Sequence, residues 1–355
     1  MAANETSFPP CGYGLIGLCC SACLLGPCRI SPFDQGSGVG RCGDDVDRMV
    51  AGGLRRLAAA ELLESMGRLA EAAEDLSEPG SQPRLAQSGN QRQALVGKYG
   101  YSDGLSPEAF AHRLFEDVEN FLSPLSRAPR FLLDRLVPEK AFPLLRGGPL
   151  FNGSPVRTLL RASTQGSGND PGTGEDFQEI LSIAAAALLC EELTRDLSGL
   201  IGETDGREEE TPAAGAGAGR SALPVVFFQA NEEDSLLRRF PDLPGELERV
   251  LGKKVSPLAL FGAGSLPGAA RALFGKGPGS SRPLAFVSSP RVTWALGALA
   301  LGFSVVSFPA LPIHGSERAE RFFMKDLPKE RGLVYLAFRE DEPLSVLLDG
   351  LKGAP

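Results

Sequence analysis

Five cysteines fall between residues 11 and 28, in CGYGLIGLCCSACLLGPC, and a sixth follows at Cys42 in GRCGDD. Thiols this dense tie the backbone together, either through disulfides or through a bound metal centre. The opening MAANETSFPP has neither the basic nor the apolar region of a secretory leader, and no stretch approaches the roughly 20 apolar residues of a membrane span. The expected compartment is the cytoplasm, where closely spaced thiols serve as metal or cluster ligands more often than as disulfides. With 36 basic and 44 acidic side chains the net charge is −8, which speaks against nucleic acid or an anionic membrane surface as partner.

Cys20, Cys23, Cys28 and Cys42 are separated by two, four and thirteen residues, so a compact loop can supply three thiolates and a later segment the fourth. Four thiolates satisfy one 4Fe-4S cluster. Gly17, Gly26, Gly40 and Gly43 stand beside these positions, where backbone must pass close to inorganic sulfur, and Pro27 stiffens the approach to Cys28. Tetrahedral zinc is the alternative, although zinc ribbons usually carry two CxxC pairs and this segment has one. Cys11 and Cys19 are left over. Cys19 adjoins Cys20, and neighbouring side chains in extended backbone point to opposite sides. Two thiols are half a ligand set, so a second copy of the chain would complete a shared cluster across a two-fold axis; the alternative is two ordinary free thiols.

CGYGLIGLCCSACLLGPCRI, followed by GRCGDDVDRMVAGGLRR, resembles the N-terminal segment of the anaerobic nickel-iron carbon monoxide dehydrogenase catalytic subunit, in cysteine spacing and in the GPCRI and CGDD words. The resemblance implies an inter-subunit cluster on Cys11 and Cys19 and an electron-relay 4Fe-4S cluster on Cys20, Cys23, Cys28 and Cys42. One cluster per chain plus one shared across a homodimer is therefore expected. SSPRVTWALGALALGFSVVSFPALPIHGSERAERFF is similar to the last α/β domain of the same family. The family's subunit is nearly twice as long and usually carries histidines along the helix after the relay loop, where LLESMGR has none.

The remaining pattern predicts an α+β multi-domain chain, an N-terminal helical iron-sulfur domain followed by a Rossmann-like α/β domain with a parallel sheet. A long helix is expected from Asp44, as N-cap, to Leu76, and further helices over 107–122 and 174–200. Arg48, Arg55 and Arg56 either offset cluster charge or line a solvated helix face. ETDGREEETPAAGAGAGRSALP reads as a linker, which divides the chain into 1–202, 203–223 and 224–355. Beyond it the apolar runs VVFFQ, PLALF, PLAFV, FSVVSF and LVYLA alternate with helical stretches near 234–252, 265–275, 290–301, 316–325 and 341–352, the mark of a parallel sheet covered by helices.

Three functions compete. The first is an iron-sulfur electron-transfer protein, a shortened relative that passes single electrons between a partner's redox centre, such as a larger oxidoreductase complex, and a carrier such as ferredoxin. Outside the N-terminal motif the chain offers only Cys190, His112 and His314, too few to ligate a nickel-iron active cluster, so nickel is not expected. Cys190 on its apolar stripe reads as a buried structural thiol, and His314 in PALPIHGSE as a surface-turn residue. The second function is a carbon monoxide dehydrogenase, alone or completed by a partner. The third is NADP(H) binding, with Gly262, Gly264 and Gly268 in a fingerprint-like order and Ser288, Ser289 and Arg291 receiving a ribose phosphate, against which Pro267 and the late third glycine count.

Overall fold

A computed structural model describes residues 18–20, 28–31, 38–40, 44–77, 89–102, 104–123, 155–156, 159–160, 175–201, 223–229, 240–261, 265–274, 283–338 and 344–352. The dominant helix, α1, spans Val46–Ser77. Its cap is Asp45 rather than the expected Asp44: the Asp45 carboxylate accepts from the Arg48 amide at 2.9 Å, which satisfies one of the open donors of the first turn. The Gly52-Gly53 pair does not interrupt it, because Val50, Leu54, Ala58, Leu62, Leu69 and Ala73 form a continuous buried stripe and tertiary packing holds the turn that propensity alone would weaken.

Helix α2, Gly89–Tyr99, is not among the helices expected from the apolar pattern. Helix α3 spans Pro107–Leu122, as expected, with the Ser106 hydroxyl accepting from the Ala109 amide and Pro107 in the first turn. Helix α4, Glu175–Ile201, is nearly apolar over IAAAALLC and lies along α1 with most of its surface buried. It is the central post of the molecule.

Beyond the two short N-terminal strands described below, five parallel strands form one sheet. They are β3 (Leu223–Gln229), β4 (Val255–Phe261), β5 (Leu284–Ser288), β6 (Ser304–Phe308) and β7 (Tyr335–Ala337), in the order β4-β3-β5-β6-β7. This is the flavodoxin-type order of a doubly wound domain, not the 3-2-1 half-order of a dinucleotide-binding sheet. Both faces are covered, which explains the unbroken apolar runs. Helices α5 (Leu243–Leu251) and α10 (Leu344–Lys352) pack with Val225, Phe227, Phe286 and Val306 on one face. On the other, α6 (Leu266–Phe274) and α7 (Val292–Ala300) join α4 around Val226, Phe228, Ala285 and Val287. The stretch Glu317–Arg331 is helical throughout, as α8 (Glu317–Arg321), a π-helical turn (Phe322–Asp326) and α9 (Leu327–Arg331).

One apolar core runs from α1 through α4 to the sheet: Leu54, Ala184, Leu188, Leu296 and Val287 belong to the same buried cluster. The helical and α/β parts are thus packed on each other. The expected linker lies outside the described residues apart from Leu223, which begins β3.

Candidate functional site

The cysteine segment forms a two-stranded antiparallel ribbon, β1 (Cys19–Cys20) against β2 (Cys28–Arg29). Its register sets Cys20 opposite Cys28 and Cys19 opposite Arg29. Directly opposed positions share one face of an antiparallel pair and successive positions alternate, so the backbone register groups positions 20 and 28 and sets position 19 apart. Two apolar anchors seat the ribbon on α1. Leu18 is buried in the core that contains Val50 and Leu54, and Ile30 packs with Met49 and Val46; the Ile30 amide donates to the Leu18 carbonyl at 3.2 Å.

The chain then returns to the same helix end. Val39 and Asp45 form an antiparallel bridge, and the Gly40 amide donates to the Asp44 carbonyl at 2.8 Å. The ribbon and residues 38–40 therefore meet at the amino end of α1. Cys11, Cys23 and Cys42 themselves lie outside the described residues.

The same helix end is tied to the α/β part. The Ser316 hydroxyl donates to Asp47 at 2.6 Å while accepting from the Ala319 amide, so one serine caps α8 and fastens α1. Neither histidine is near a ligand set: among the described residues no group of three or more His, Cys, Asp or Glu side chains is placed to hold a metal. His112 is exposed on α3 beside Glu116, and His314 Nδ1 lies 2.9 Å from Glu320. Cys190 is fully buried, and burial, with the Glu191 carboxylate beside it, pushes its thiol well above the ordinary range, leaving it inert as ligand or nucleophile.

The nucleotide reading fares differently at its two ends. Gly262 and Gly264 lie outside the described residues. At the other end the structure corrects the expectation for Arg291, which pairs with Glu64 at 2.6 Å and Glu191 at 3.3 Å, while the Ser289 hydroxyl accepts from the Arg291 amide. The guanidinium also holds the Glu64 carboxyl below its usual range. A residue expected to meet a ribose phosphate is committed to the chain's own carboxylates.

No protein-family model matches the chain. Among curated proteins it is 54% identical over 56 residues to a carbon monoxide dehydrogenase of Rhodospirillum rubrum, and 52% identical over 56 residues to carbon monoxide dehydrogenase 2 of Carboxydothermus hydrogenoformans. Over that stretch the chain is a relative of the carbon monoxide dehydrogenases. Each match covers 16% of this chain and 9% of the dehydrogenase. A stretch of that length cannot contain both the cysteine segment and the SSPR-to-ERFF run, so it speaks for one part of the chain only. Among solved structures, a nickel-free carbon monoxide dehydrogenase of Thermococcus sp. AM4 aligns with 97% of this chain and 55% of its own, at 16% identity and TM-score 0.48. Carbon monoxide dehydrogenase IV of Carboxydothermus hydrogenoformans aligns with 92% and 57%, at 16% identity and TM-score 0.45. This chain thus spans little more than half the length of these solved dehydrogenases.

Proposed function

We propose that this protein is an iron-sulfur electron-transfer relative of carbon monoxide dehydrogenase that holds a relay 4Fe-4S cluster and shares a second cluster with another copy of itself, without a nickel-iron active site. The observation that carries the reading is the register of the N-terminal ribbon, which pairs position 20 with position 28 near the amino end of α1. The donor set fits the group. Four thiols at these spacings match the all-cysteine ligation of a cubane, and Gly40 and Asp44, which flank Cys42 in sequence, are hydrogen-bonded to each other at the same helix end. Cys20, Cys23, Cys28 and Cys42 would hold the cluster, which supplies one-electron transfer when bound. Leu18 and Ile30 seal the α1 side of the ribbon against water. Cys19, whose register partner is Arg29 and not a cysteine, is assigned with Cys11 to the shared site.

Seven cysteines and two histidines leave only Cys190, His112 and His314 outside the N-terminal motif, and their surroundings do not suit a nickel-iron centre. Anaerobically purified protein is expected to contain iron and sulfide without nickel, and to be unable to reduce a viologen dye with carbon monoxide. Stoichiometric nickel would favour a dehydrogenase subunit completed by a partner. Cys20→Ser and Cys28→Ser are each expected to lower iron by about four atoms per chain while the far-ultraviolet spectrum of the α/β part persists. Unchanged iron in both variants overturns the assignment.

The shared site has its own test. Because a bridging cluster contributes association energy only when both protomers supply ligands, Cys11→Ser combined with Cys19→Ser is expected to weaken the homodimer and leave the relay iron in place. Anaerobic sedimentation with iron measured on the same samples decides it, and a monomeric wild type with full relay iron refutes it. Among the described residues no helix is long and apolar enough to cross a membrane. The proposed redox partners are ferredoxin-like carriers or a larger oxidoreductase complex in the cytoplasm.

A further inference from the structure

In a doubly wound sheet ligands enter at the carboxyl ends of the strands where the winding direction reverses. Here that point lies between β3 and β5, and β5 leads through Ser289, Pro290 and Arg291 into α7. Helix α7 has no cap of its own, since Arg291 stands at its N-cap in extended conformation with no side-chain bond to the helix. Its open donors are taken by a residue more than 200 positions away. Glu61 of α1 accepts from the Val292 amide at 3.1 Å, from the Thr293 amide at 2.9 Å and from the Thr293 hydroxyl.

The surroundings extend the pattern. Arg291 turns to Glu64 and Glu191; Arg68 bridges the same two carboxylates; the Ser65 hydroxyl donates to Glu191 at 3.0 Å. A row of side chains from α1 therefore lies against the turn from β5 into α7. Three donors converging on one carboxylate make the geometry by which such folds seat a phosphate oxygen.

We infer that Glu61 is a built-in anion that occupies the anion seat at the amino end of α7, closing it to phosphate-bearing ligands and latching the helix that seats the cysteine ribbon to the sheet. The domain then acts as a scaffold for α1 and not as a nucleotide binder. The inference is independent of the cluster assignment.

Thermal unfolding of the anaerobically purified full chain, in inorganic phosphate and in sodium chloride of equal ionic strength, tests it. Wild type is expected to unfold at the same temperature in both salts. Glu61→Ala, which vacates the seat, is expected to gain a few degrees in phosphate, because an anion that binds only the folded state stabilises it by mass action. Glu61→Gln, which keeps the seat filled, should not gain. Equal responses in wild type and Glu61→Ala, or the same gain in Glu61→Gln, overturn the inference. Should the alanine variant fail to fold, hydrogen exchange on Glu61→Gln decides the latch: amides 292 and 293 should exchange about tenfold faster while β5 and β6 keep their protection. Unchanged protection at those two amides refutes it.

Discussion

Replacing Glu192 by alanine is expected to destabilise the fold by about 3–5 kcal/mol, a large share of the roughly 5–15 kcal/mol that holds a typical domain. Glu192 is fully buried on α4 and joins three helices. Lys98 of α2 reaches it at 2.8 Å, and Arg271 of α6 grips both carboxylate oxygens. Lys98 also pairs with Asp196, which accepts from the buried Tyr99 hydroxyl. Removing the carboxylate takes from the largely desolvated Arg271 guanidinium, and from Lys98, the acceptor that they share, and the poorer compensation of buried charge, more than the lost attraction, sets the cost. Glu192→Gln keeps the volume and one acceptor and should cost less. Anaerobic urea unfolding followed by circular dichroism measures both, and a loss under about 1 kcal/mol for the alanine variant would show the network to be dispensable.

The same residue gives the acid limb of stability a definite sign. Burial raises the Glu192 pKa, but Lys98 and Arg271 outweigh it and bring the carboxyl down to about 2, below its unfolded value. Its contribution is therefore complete above the unfolded pKa of about 4.3 and is lost as pH falls toward the folded one. Stability of the wild type should decline across that window more steeply than that of Glu192→Gln.

Substituting Gly297 is expected to be the second most damaging change, about 1–3 kcal/mol for alanine and more for valine. Gly297 sits where α7 crosses the Ala184–Ala187 run of α4. A Cβ there would lie 2.4 Å from Leu188 Cδ1, 2.9 Å from Leu188 Cγ and 3.1 Å from the Ala184 carbonyl oxygen. Leu188 is itself fully buried, and the carbonyl belongs to a helix that cannot move without disturbing α1. The two helices must separate or the leucine must leave its rotamer. Gly67, on an exposed stretch of α1 where an added methyl would meet nothing within 4 Å, is the control. Gly67→Ala should stabilise by about 0.5–1 kcal/mol through helix propensity alone. Equal effects at the two sites would refute the close-packing account of Gly297.

Much of the architecture is legible in local pattern. The five strands begin and end within a few residues of VVFFQ, PLALF, PLAFV, FSVVSF and LVYLA, because a strand covered on both faces has no polar positions to blur its limits. Ser106-Pro107 announces α3 through its own cap. Helix α2 is not legible: only Leu95, Val96 and Tyr99 of GNQRQALVGKY are buried, too few to impose a period, and its Lys98 and Tyr99 gain their meaning from Asp196 and Glu192, almost 100 residues away.

Cysteine spacing by itself pointed to the thiols proposed to share a cluster, since chain length between ligands limits what can meet, and alternation along extended backbone set Cys19 apart from Cys20. The sheet itself was readable too, although its strand order was not. Only the tertiary structure decided the fate of Arg291. In sequence it stands after a strand and before a helix, where a phosphate-binding residue belongs; in the fold Glu64 and Glu191 claim it, and Glu61 takes the neighbouring helix donors. Those carboxylates come from helices 100 and more residues away, and no local pattern records which distant charge a buried donor will meet.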